Sequence, residues 1–292
     1  MKVLILGASG MLGQAVVRTL SDAHEIWGLA RSTSFVESFP EPLRSRLLGG
    51  IEITDNFVRQ KVLDQINPDV IVNCIGIVKQ MPKAHDAVAS ITVNSLLPHQ
   101  LTSWCELHAK RLITISTDCV FDGRQGMHTE DDLPNAEDLY GQSKALGEVK
   151  DSTNAITLRT SIIGHELTKP SHSLLEWFLA QFGVVHGFGK AVFSGLPTNE
   201  LGRVIRDYVI PNHSLHGLFQ VAAEPIDKLA LLMLFKEIYN TKAQIVPDNT
   251  LIVDRSLDGQ RFQEATGYVA PPWSIMIEEM HDFAVRAGLW RQ

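Results

Sequence analysis

The sequence of 292 residues contains few of the features that mark several common classes of protein. Its three cysteines, Cys74, Cys105 and Cys119, form neither a CxxC pair nor an even-numbered framework, which fits a reduced, cytoplasmic protein rather than a disulfide scaffold. The apolar runs are too short for a membrane span, and the run near the N-terminus lacks a signal-peptide cleavage site. Repeats and low-complexity segments are also missing. We therefore expect an ordinary globular protein in the cytoplasm.

Positive charge is also in short supply. The 26 Lys and Arg residues are outnumbered by 33 Asp and Glu residues, and the net charge is −7. This balance argues against a groove for nucleic acid and against binding to an anionic membrane surface. It leaves room for a local basic pocket that binds a phosphate. Apolar residues make up 45% of the chain, which predicts a sizeable core in one large or two modest domains.

A glycine-rich turn follows the first apolar run. Residues 2–7 read as a buried strand, Gly7, Gly10 and Gly13 follow in a GxxGxxG spacing, and an apolar helical pattern begins at Ala15. Glycines let a backbone approach a pyrophosphate, and a helix N-terminus favours its negative charge. The pattern therefore indicates a dinucleotide site, and the alternative is a glycine turn that serves only strand–helix packing.

The end of the second predicted strand, residues 26–30, indicates which dinucleotide is bound. Proteins that choose NAD usually place an acidic residue at this point, to bond the ribose 2′-hydroxyl. This chain has Arg31 and Ser32 instead. An arginine can pair with a 2′-phosphate, so we expect NADP, with NAD as the other candidate. The alternative role for Arg31 is to cover the adenine face.

Two later strands also end in residues suited to a ligand. Residues 70–74 form a β-branched strand followed by Gly76, and residues 112–116 form a strand followed by Thr117. The carboxyl ends of parallel strands are where doubly wound sheets bind ligands. A plain strand-end glycine and a β-turn rich in hydroxyl residues are the alternatives. Between these two strands, the apolar pattern predicts one long helix over residues 85–107, which contains Asn94.

Tyr140 and Lys144 stand four residues apart in a helical pattern, so their side chains leave the same helix face. A nearby ammonium favours a phenolate, so we expect Lys144 to lower the pKa of Tyr140 from about 10. Tyr140 could then exchange a proton with a carbonyl or alcohol oxygen. A solvated helix face is the alternative explanation of the pair.

Taken together, these motifs resemble those of the extended short-chain dehydrogenases/reductases. The matching stretches are residues 7–13, 116–118, 140–144 and 159–161, in the order of that family. Residues 116–123, Ser-Thr-Asp-Cys-Val-Phe-Asp-Gly, are most similar to the dTDP-4-dehydrorhamnose reductases, in which Tyr replaces Cys119. The similarity covers about residues 1–165 and thins afterwards.

The resemblance implies a role for each matching position. Thr117, Tyr140 and Lys144 would be the catalytic trio. The cofactor would also contact Tyr140 and Lys144, together with residues in the turns that follow four strands: Gly7, Gly10, Met11, Leu12, Gly13, Arg31, Ser32, Glu52, Ile53, Gly76 and Ile77.

The departures from the family pattern matter as well. Related dehydratases carry two acids after the threonine, but here the second is Cys119, so we expect reduction without loss of water. The family's late substrate-binding stretch is unclear. The closest candidate for it is residues 254–258, which include Arg255. Lys190 and Arg203 are the candidates for binding a substrate diphosphate, with solvated surface charge as the alternative.

The sequence and the resemblance together predict an α/β fold with a doubly wound parallel sheet and a small C-terminal α/β lobe. Residues 1–165 would form the NADP-binding Rossmann domain, and residues 166–292 mainly the substrate lobe, with segments returning to the first domain. The expected activity is NADPH-dependent reduction of a keto group on a nucleotide-activated deoxysugar, with no metal. A nucleotide-sugar epimerase and a non-catalytic regulatory subunit are the alternative functions. The oligomer considered for this chain is a homodimer.

Overall fold

A parallel seven-stranded sheet forms the centre of the computed structural model, which describes residues 1–167, 171 and 173–290. Within this part of the chain the strands are β1 (Lys2–Leu6), β2 (Glu25–Leu29), β3 (Leu47–Leu48), β4 (Val70–Asn73), β5 (Arg111–Thr117), β6 (Ala155–Thr160), β7 (Ile162–Ile163), β8 (Val184–Phe188), β9 (Ala191–Phe193), β10 (Leu196–Pro197), β11 (Gly217–Gln220), β12 (Ile226–Asp227), β13 (Gln244–Asp248) and β14 (Val253–Asp254).

The helices of the same residues alternate with the strands of the large sheet. They are α1 (Met11–Leu20), α2 (Glu41–Arg44), α3 (Asn56–Ile66), α4 (Ala87–Ser90), α5 (Leu97–Leu107), α6 (Leu139–Leu146), α7 (Leu174–Leu179), α8 (Thr198–Val204), α9 (Lys228–Ile238), α10 (Gln260–Thr266) and α11 (Trp273–Arg286). Short 3₁₀ turns span Ser34–Ser38, Pro82–His85 and Asp118–Val120, and π-helical turns span Ile91–Leu96 and Ile205–Val209.

The large sheet has the strand order β11-β6-β5-β4-β1-β2-β3, and its hydrogen-bonded neighbours are parallel. The chain winds outward from β1 through β2 to β3, then returns to the other side of β1 and winds outward from β4. The predicted doubly wound sheet is therefore confirmed. The reversal falls between β1 and β4, where such sheets open a crevice at the strands' carboxyl ends.

Both faces of this sheet are covered because successive side chains of a strand point to opposite faces. Val3 and Ile5 pack in one buried cluster with residues of α1 and α8. Leu4 and Leu6 pack in another with residues of α3 and α5. A strand buried on both faces needs apolar residues at every position, which explains the uninterrupted apolar run at the N-terminus.

The second half of the chain builds three small sheets, β10-β7, β12-β9-β14 and β13-β8. A third apolar cluster, from α7, α9 and α11, packs against them. Yet β11 joins the edge of the large sheet and α8 packs on α1, so residues beyond 165 also contribute to the first half. The division of the chain near residue 165 stays a prediction.

The predicted long helix over residues 85–107 is wrong in its middle. It consists of α4, the π-helical turn Ile91–Leu96 and α5, which ends at Leu107. Residues 172–183 carry an apolar helical pattern, but the helix in this stretch, α7, ends at Leu179, and residue 172 lies outside the described residues. Across the described ranges, no helix is long and apolar enough to cross a membrane.

Candidate active site

The glycine turn brings the end of β1 close to the start of α1. Gly7 has φ +81°, which favours glycine, and its carbonyl accepts a hydrogen bond from Gly10 N at 2.9 Å. A Cβ on Gly13 would lie 2.1 Å from Gly7 O, so no larger residue fits there. The N-cap of α1 is Gly10, which supplies no side-chain hydrogen bond. The first N–H groups of this helix therefore face the turn without a side-chain cap, which suits a pyrophosphate.

The residues expected at the adenine end follow β2 and β3. Arg31 and Ser32 are exposed just beyond β2, and within the described residues the Arg31 guanidinium forms no hydrogen bond or ion pair. Glu52 is also exposed, and its Oε1 accepts a hydrogen bond from Thr54 Oγ1 at 2.7 Å, whereas Ile53 is buried. Arg31 is thus a cation free to pair with an added phosphate.

The loop after β4 is held by hydrogen bonds to Asn94, for which the sequence predicted no role in the site. Asn94, in the π-helical turn, accepts a hydrogen bond from Ile77 N at 2.9 Å and donates one to Ile77 O at 3.0 Å. Its amide also donates to Ser143 Oγ at 3.1 Å, and Asn94 is 1% exposed. Asn94 therefore joins the Gly76–Ile77 loop to α6. A buried mid-helix asparagine with all of these partners explains why the helix departs from α geometry.

Helix α6 brings Tyr140 and Lys144 to the carboxyl end of β5. The helix begins after Asp138, whose Oδ1 accepts a hydrogen bond from Gly141 N at 2.8 Å. Gly141, the residue after Tyr140, lies against the backbone two residues beyond Thr117, since a Cβ on it would be 2.3 Å from Cys119 O. The Lys144 ammonium donates to Ile115 O at 2.7 Å, two residues before Thr117. The three predicted catalytic residues therefore lie at one place.

The protonation states in this cluster differ from the expectation. Burial raises the pKa of Tyr140 above its ordinary value, and the opposing effect of the nearby Thr117 hydroxyl is smaller. Burial lowers the pKa of Lys144 to about 8, opposed by the charge of Glu148. The expectation that Lys144 lowers the tyrosine pKa is thus wrong for this state, because the ammonium is bonded to Ile115 O and burial dominates. Tyr140 is accordingly a neutral phenol at pH 7.

Cys119 has the properties of a buried thiol. Burial and the adjacent Asp118 raise its pKa to about 12, so the thiol stays protonated at neutral pH. Burial also raises the pKa of Asp118, whose Oδ1 accepts a hydrogen bond from Thr117 Oγ1 at 3.1 Å. Lys79, after β4, lies 5.8 Å from the Tyr140 ring and pairs with Asp138 Oδ2 at 2.7 Å.

Of the three predicted substrate residues, Arg255 lies at this site. Its guanidinium donates to Phe121 O at 3.0 Å and to Asp122 O at 3.1 Å, and its charge acts on Asp118. Lys190 is exposed in the turn before β9, and its carbonyl accepts a hydrogen bond from Val253 N at 3.0 Å. Lys190 therefore lies beside the small sheet β12-β9-β14, and Arg255 directly follows β14 of that sheet.

Arg203 lies elsewhere. It forms ion pairs with Glu200 and Glu279 in a groove of about 870 Å³ beside the C-terminal end of α1. Helix α1 starts at the carboxyl edge of the sheet, so its far end marks the opposite edge. Arg203 therefore lies away from the other candidate residues. Charge alone does not determine which edge of a sheet a helical arginine occupies.

Asn94 was noted in the sequence as a polar residue inside a helical pattern, but it was assigned no part in the site. Lys79 and Lys228 were missed, because no local pattern separates them from surface lysines. A buried ion pair behind the trio was also missed. Glu148 accepts hydrogen bonds from Arg159 Nε at 2.8 Å and Nη2 at 2.7 Å, and from Ser116 Oγ at 2.8 Å.

Comparison with known families matches residues 1–171 to the family described as "RmlD substrate binding domain". Methionine adenosyltransferase 2 subunit beta of Danio rerio is 28% identical over 252 residues, which are 82% of this chain and 74% of that protein. A probable low-salt glycan biosynthesis reductase of Haloferax volcanii is 32% identical over 168 residues, but the match spans only 56% of this chain and 54% of the relative.

Among solved structures, the dTDP-4-dehydrorhamnose reductase of Bacillus anthracis in complex with NADP superimposes with a TM-score of 0.78. The match covers 97% of this chain and 99% of the other, at 19% identity. At that identity the likeness concerns the fold. It extends over the small sheets as well as the large one, so the whole architecture is shared.

Proposed function

Because this chain belongs to the RmlD substrate-binding domain family of extended short-chain dehydrogenases/reductases, we propose that it reduces a keto group on a nucleotide-activated deoxysugar. The observation that supports this most directly is the cluster at the end of β5. The start of α6 packs against the backbone just after Thr117 and brings Tyr140 there, Lys144 lies one helical turn from Tyr140, and the uncapped start of α1 lies at the same edge of the sheet. An acid, an oxygen-binding hydroxyl and a phosphate site are what such a reduction needs.

In this proposal Tyr140 is the general acid. Its raised pKa keeps the phenol protonated at neutral pH, so it can donate a proton to the oxygen of the reduced carbonyl. Thr117 donates a hydrogen bond to the same oxygen. Lys144, released from Ile115 O, holds the cofactor ribose and supplies positive charge beside the phenol. The nicotinamide cofactor supplies the hydride.

The cofactor fits the residues at the carboxyl edge. The glycine turn leaves no room for side chains where the pyrophosphate would approach, and Arg31 is free to pair with a 2′-phosphate, so we propose NADPH in preference to NADH. The proposed contacts are those that the sequence predicted: Gly7, Gly10, Met11, Leu12, Gly13, Arg31, Ser32, Glu52, Ile53, Gly76, Ile77, Tyr140 and Lys144.

Two other functions compete with this one. The similarity to methionine adenosyltransferase 2 subunit beta favours a regulatory subunit, and the buried acid–hydroxyl–lysine cluster speaks against it. An epimerase would use the same cluster but retain its cofactor and consume no NADPH. A dehydratase would need a base where Cys119 stands, and that thiol is protonated at neutral pH.

The test is NADPH oxidation measured with a panel of 4-keto nucleotide sugars, together with mass spectrometry of the products. We expect stoichiometric oxidation of NADPH with at least one sugar and a product heavier by two hydrogens. Turnover without net NADPH consumption would favour the epimerase. Loss of water from an unmodified dTDP- or UDP-hexose at a catalytic rate would overturn the reductase assignment.

A further inference from the structure

The small sheet β12-β9-β14 presents two basic residues on one face. Asp227 lies opposite Val192 in the antiparallel pair β12–β9, and Lys228 follows it as the first residue of α9. Asp254 also lies opposite Val192, in the parallel pair β14–β9, and the next residue, Arg255, donates its N–H to Val192 O at 3.1 Å. Because side chains alternate across a strand, Phe193 and Arg255 share one face, and Val192 and Asp254 point to the other.

The contacts of these residues agree with that alternation. The Lys228 ammonium lies 4.3 Å from the ring centroid of Phe193, which belongs to the same face. On the opposite face Asp254 accepts hydrogen bonds from Ser256 N at 2.9 Å and Ser256 Oγ at 2.7 Å. The neighbouring carboxylates are therefore turned away from the two cations.

The basic face is turned towards the candidate site. The charges of Lys228 and Arg255 both act on Asp118, and the charges of Arg255 and Lys79 act on Cys119. Asp118 follows Thr117 directly and is 5% exposed. Lys228 therefore lies beside the trio although it is distant from it in sequence.

The positive charge there is incompletely balanced. Within the described residues, the Lys228 side chain forms no hydrogen bond or ion pair, and its surroundings lower its pKa through burial. Arg255 donates to two backbone carbonyls, which satisfy its N–H groups but carry no net charge. The charge of Arg255 also acts on Asp138, but that carboxylate already pairs with Lys79 at 2.7 Å. Asp118 is a single carboxyl whose pKa burial raises, so it offsets at most one of the two cations. A half-buried ammonium without a partner is costly unless a ligand supplies an anion.

We propose that Lys228 is a substrate-binding residue which, with Arg255, binds the diphosphate of the nucleotide sugar. The inference rests on the proposed function, because that function places a diphosphate-bearing substrate beside Tyr140. It replaces Arg203, which lies at the opposite edge and is already paired, as the second cation for that group. Lys228 does not take part in proton or hydride transfer, so its effect should appear in substrate binding.

The experiment compares Lys228→Met with Lys228→Arg and with a matched control, Lys236→Met, from the last turn of the same helix. Methionine keeps the apolar stem over Phe193 but removes the charge. Isothermal calorimetry would measure the affinity of each protein for dTDP and UDP, for thymidine and uridine, and for NADPH.

We expect Lys228→Met to weaken binding of the preferred nucleoside diphosphate about 10- to 100-fold, as for a lost charge-assisted hydrogen bond. Lys228→Arg and Lys236→Met should bind within about threefold of the parent, and the affinities for the nucleosides and for NADPH should not change. The unchanged NADPH affinity also shows that the variant is folded. Because free diphosphates carry no sugar, the result separates a diphosphate site from one for a charged sugar.

Two outcomes would overturn the proposal, and they are distinguishable. If the parent binds a nucleoside diphosphate and Lys228→Met binds it equally well, the role of Lys228 is wrong and the proposed function stands. If the parent binds NADPH but neither dTDP nor UDP, a role of Lys228 in binding their diphosphate is wrong, and the proposed function loses its substrate class as well.

Discussion

Three ionisable groups at the carboxyl edge of the large sheet differ from an ion pair at the opposite edge in what shifts their pKa values. At the carboxyl edge, burial shifts the pKa values of Tyr140, Lys144 and Lys228 away from their ordinary values. At the opposite edge, beside the end of α1, Arg206 and Asp207 form an ion pair that raises the pKa of the arginine and lowers that of the aspartate. Burial disfavours the charged form of the first three groups, and pairing stabilises the charges of Arg206 and Asp207.

The difference shows where function is expected. Paired surface charges satisfy each other and need no ligand, and such pairs contribute little to stability. Ionisable groups held in a cleft in an unfavourable state are typical of sites that do chemistry or bind charged ligands. The large groove beside Arg203 is therefore a weaker candidate than the carboxyl edge, despite its volume.

The largest effect is expected for Tyr140→Phe. Removal of the phenol hydroxyl should lower kcat about 10²- to 10⁴-fold, because a general acid contributes that much, while NADPH affinity stays unchanged. The matched control is Tyr208→Phe, whose ring packs against Tyr268 on the other side of the molecule. Steady-state NADPH oxidation with the substrate found in the panel measures both. A Tyr140→Phe enzyme within a few-fold of the parent would remove this residue from the mechanism.

The second-largest effect is expected on the free energy of unfolding, where the loss of a buried ion pair is compared with the loss of a partly exposed one. Arg159 is 0% exposed and binds Glu148 through two nitrogens, so Arg159→Met leaves a buried carboxylate without its partner and should cost about 3–5 kcal/mol. Arg206→Met breaks an ion pair that is partly exposed and should cost about 1 kcal/mol or less. Urea unfolding of the two variants provides the free energies. Equal losses would contradict the distinction between the two pairs.

The smallest effect is expected at the adenine end. Arg31→Asp should weaken NADPH binding at least about tenfold and shift the preference towards NADH, since a charge-assisted bond to the 2′-phosphate is replaced by repulsion. Arg286→Asp makes the same charge change at an exposed arginine beside the groove and serves as control. Calorimetry with both cofactors measures the preference. A parent that binds NADPH and NADH equally would show that Arg31 does not select the cofactor.

Much of the first half of the fold was predictable because its patterns are local. The strand over residues 70–74 and the glycine turn were predicted from residues within a few positions of each other, and the structure places β4 and the start of α1 there. The π-helical turn was not predictable in this way. Its cause is Asn94, whose partners Ile77 and Ser143 lie 17 and 49 residues away.

In the candidate site, the residues of the trio could be predicted from the sequence, but their protonation states could not. Its trio was found from sequence because Tyr140 and Lys144 lie on one helix turn and Thr117 ends a strand. The pKa shift of Tyr140 and the hydrogen bond of Lys144 could not be predicted. The pKa of Tyr140 depends on burial by residues distant in sequence, and the Lys144 ammonium donates to Ile115 O on another element.

The sequence by itself determined the order of strands and helices, the glycine turn and the residue types of the trio, because each depends on backbone preferences or on spacing along one element. Only the tertiary structure decided which charged residues meet. Lys228 and Arg255 are 27 positions apart, and they share a face because β12 and β14 both pair with β9. Arg203, equally basic, lies at the opposite edge because α8 packs along α1 towards its C-terminal end. Electrostatic interactions depend on distance and burial in three dimensions, and neither is written in the local sequence.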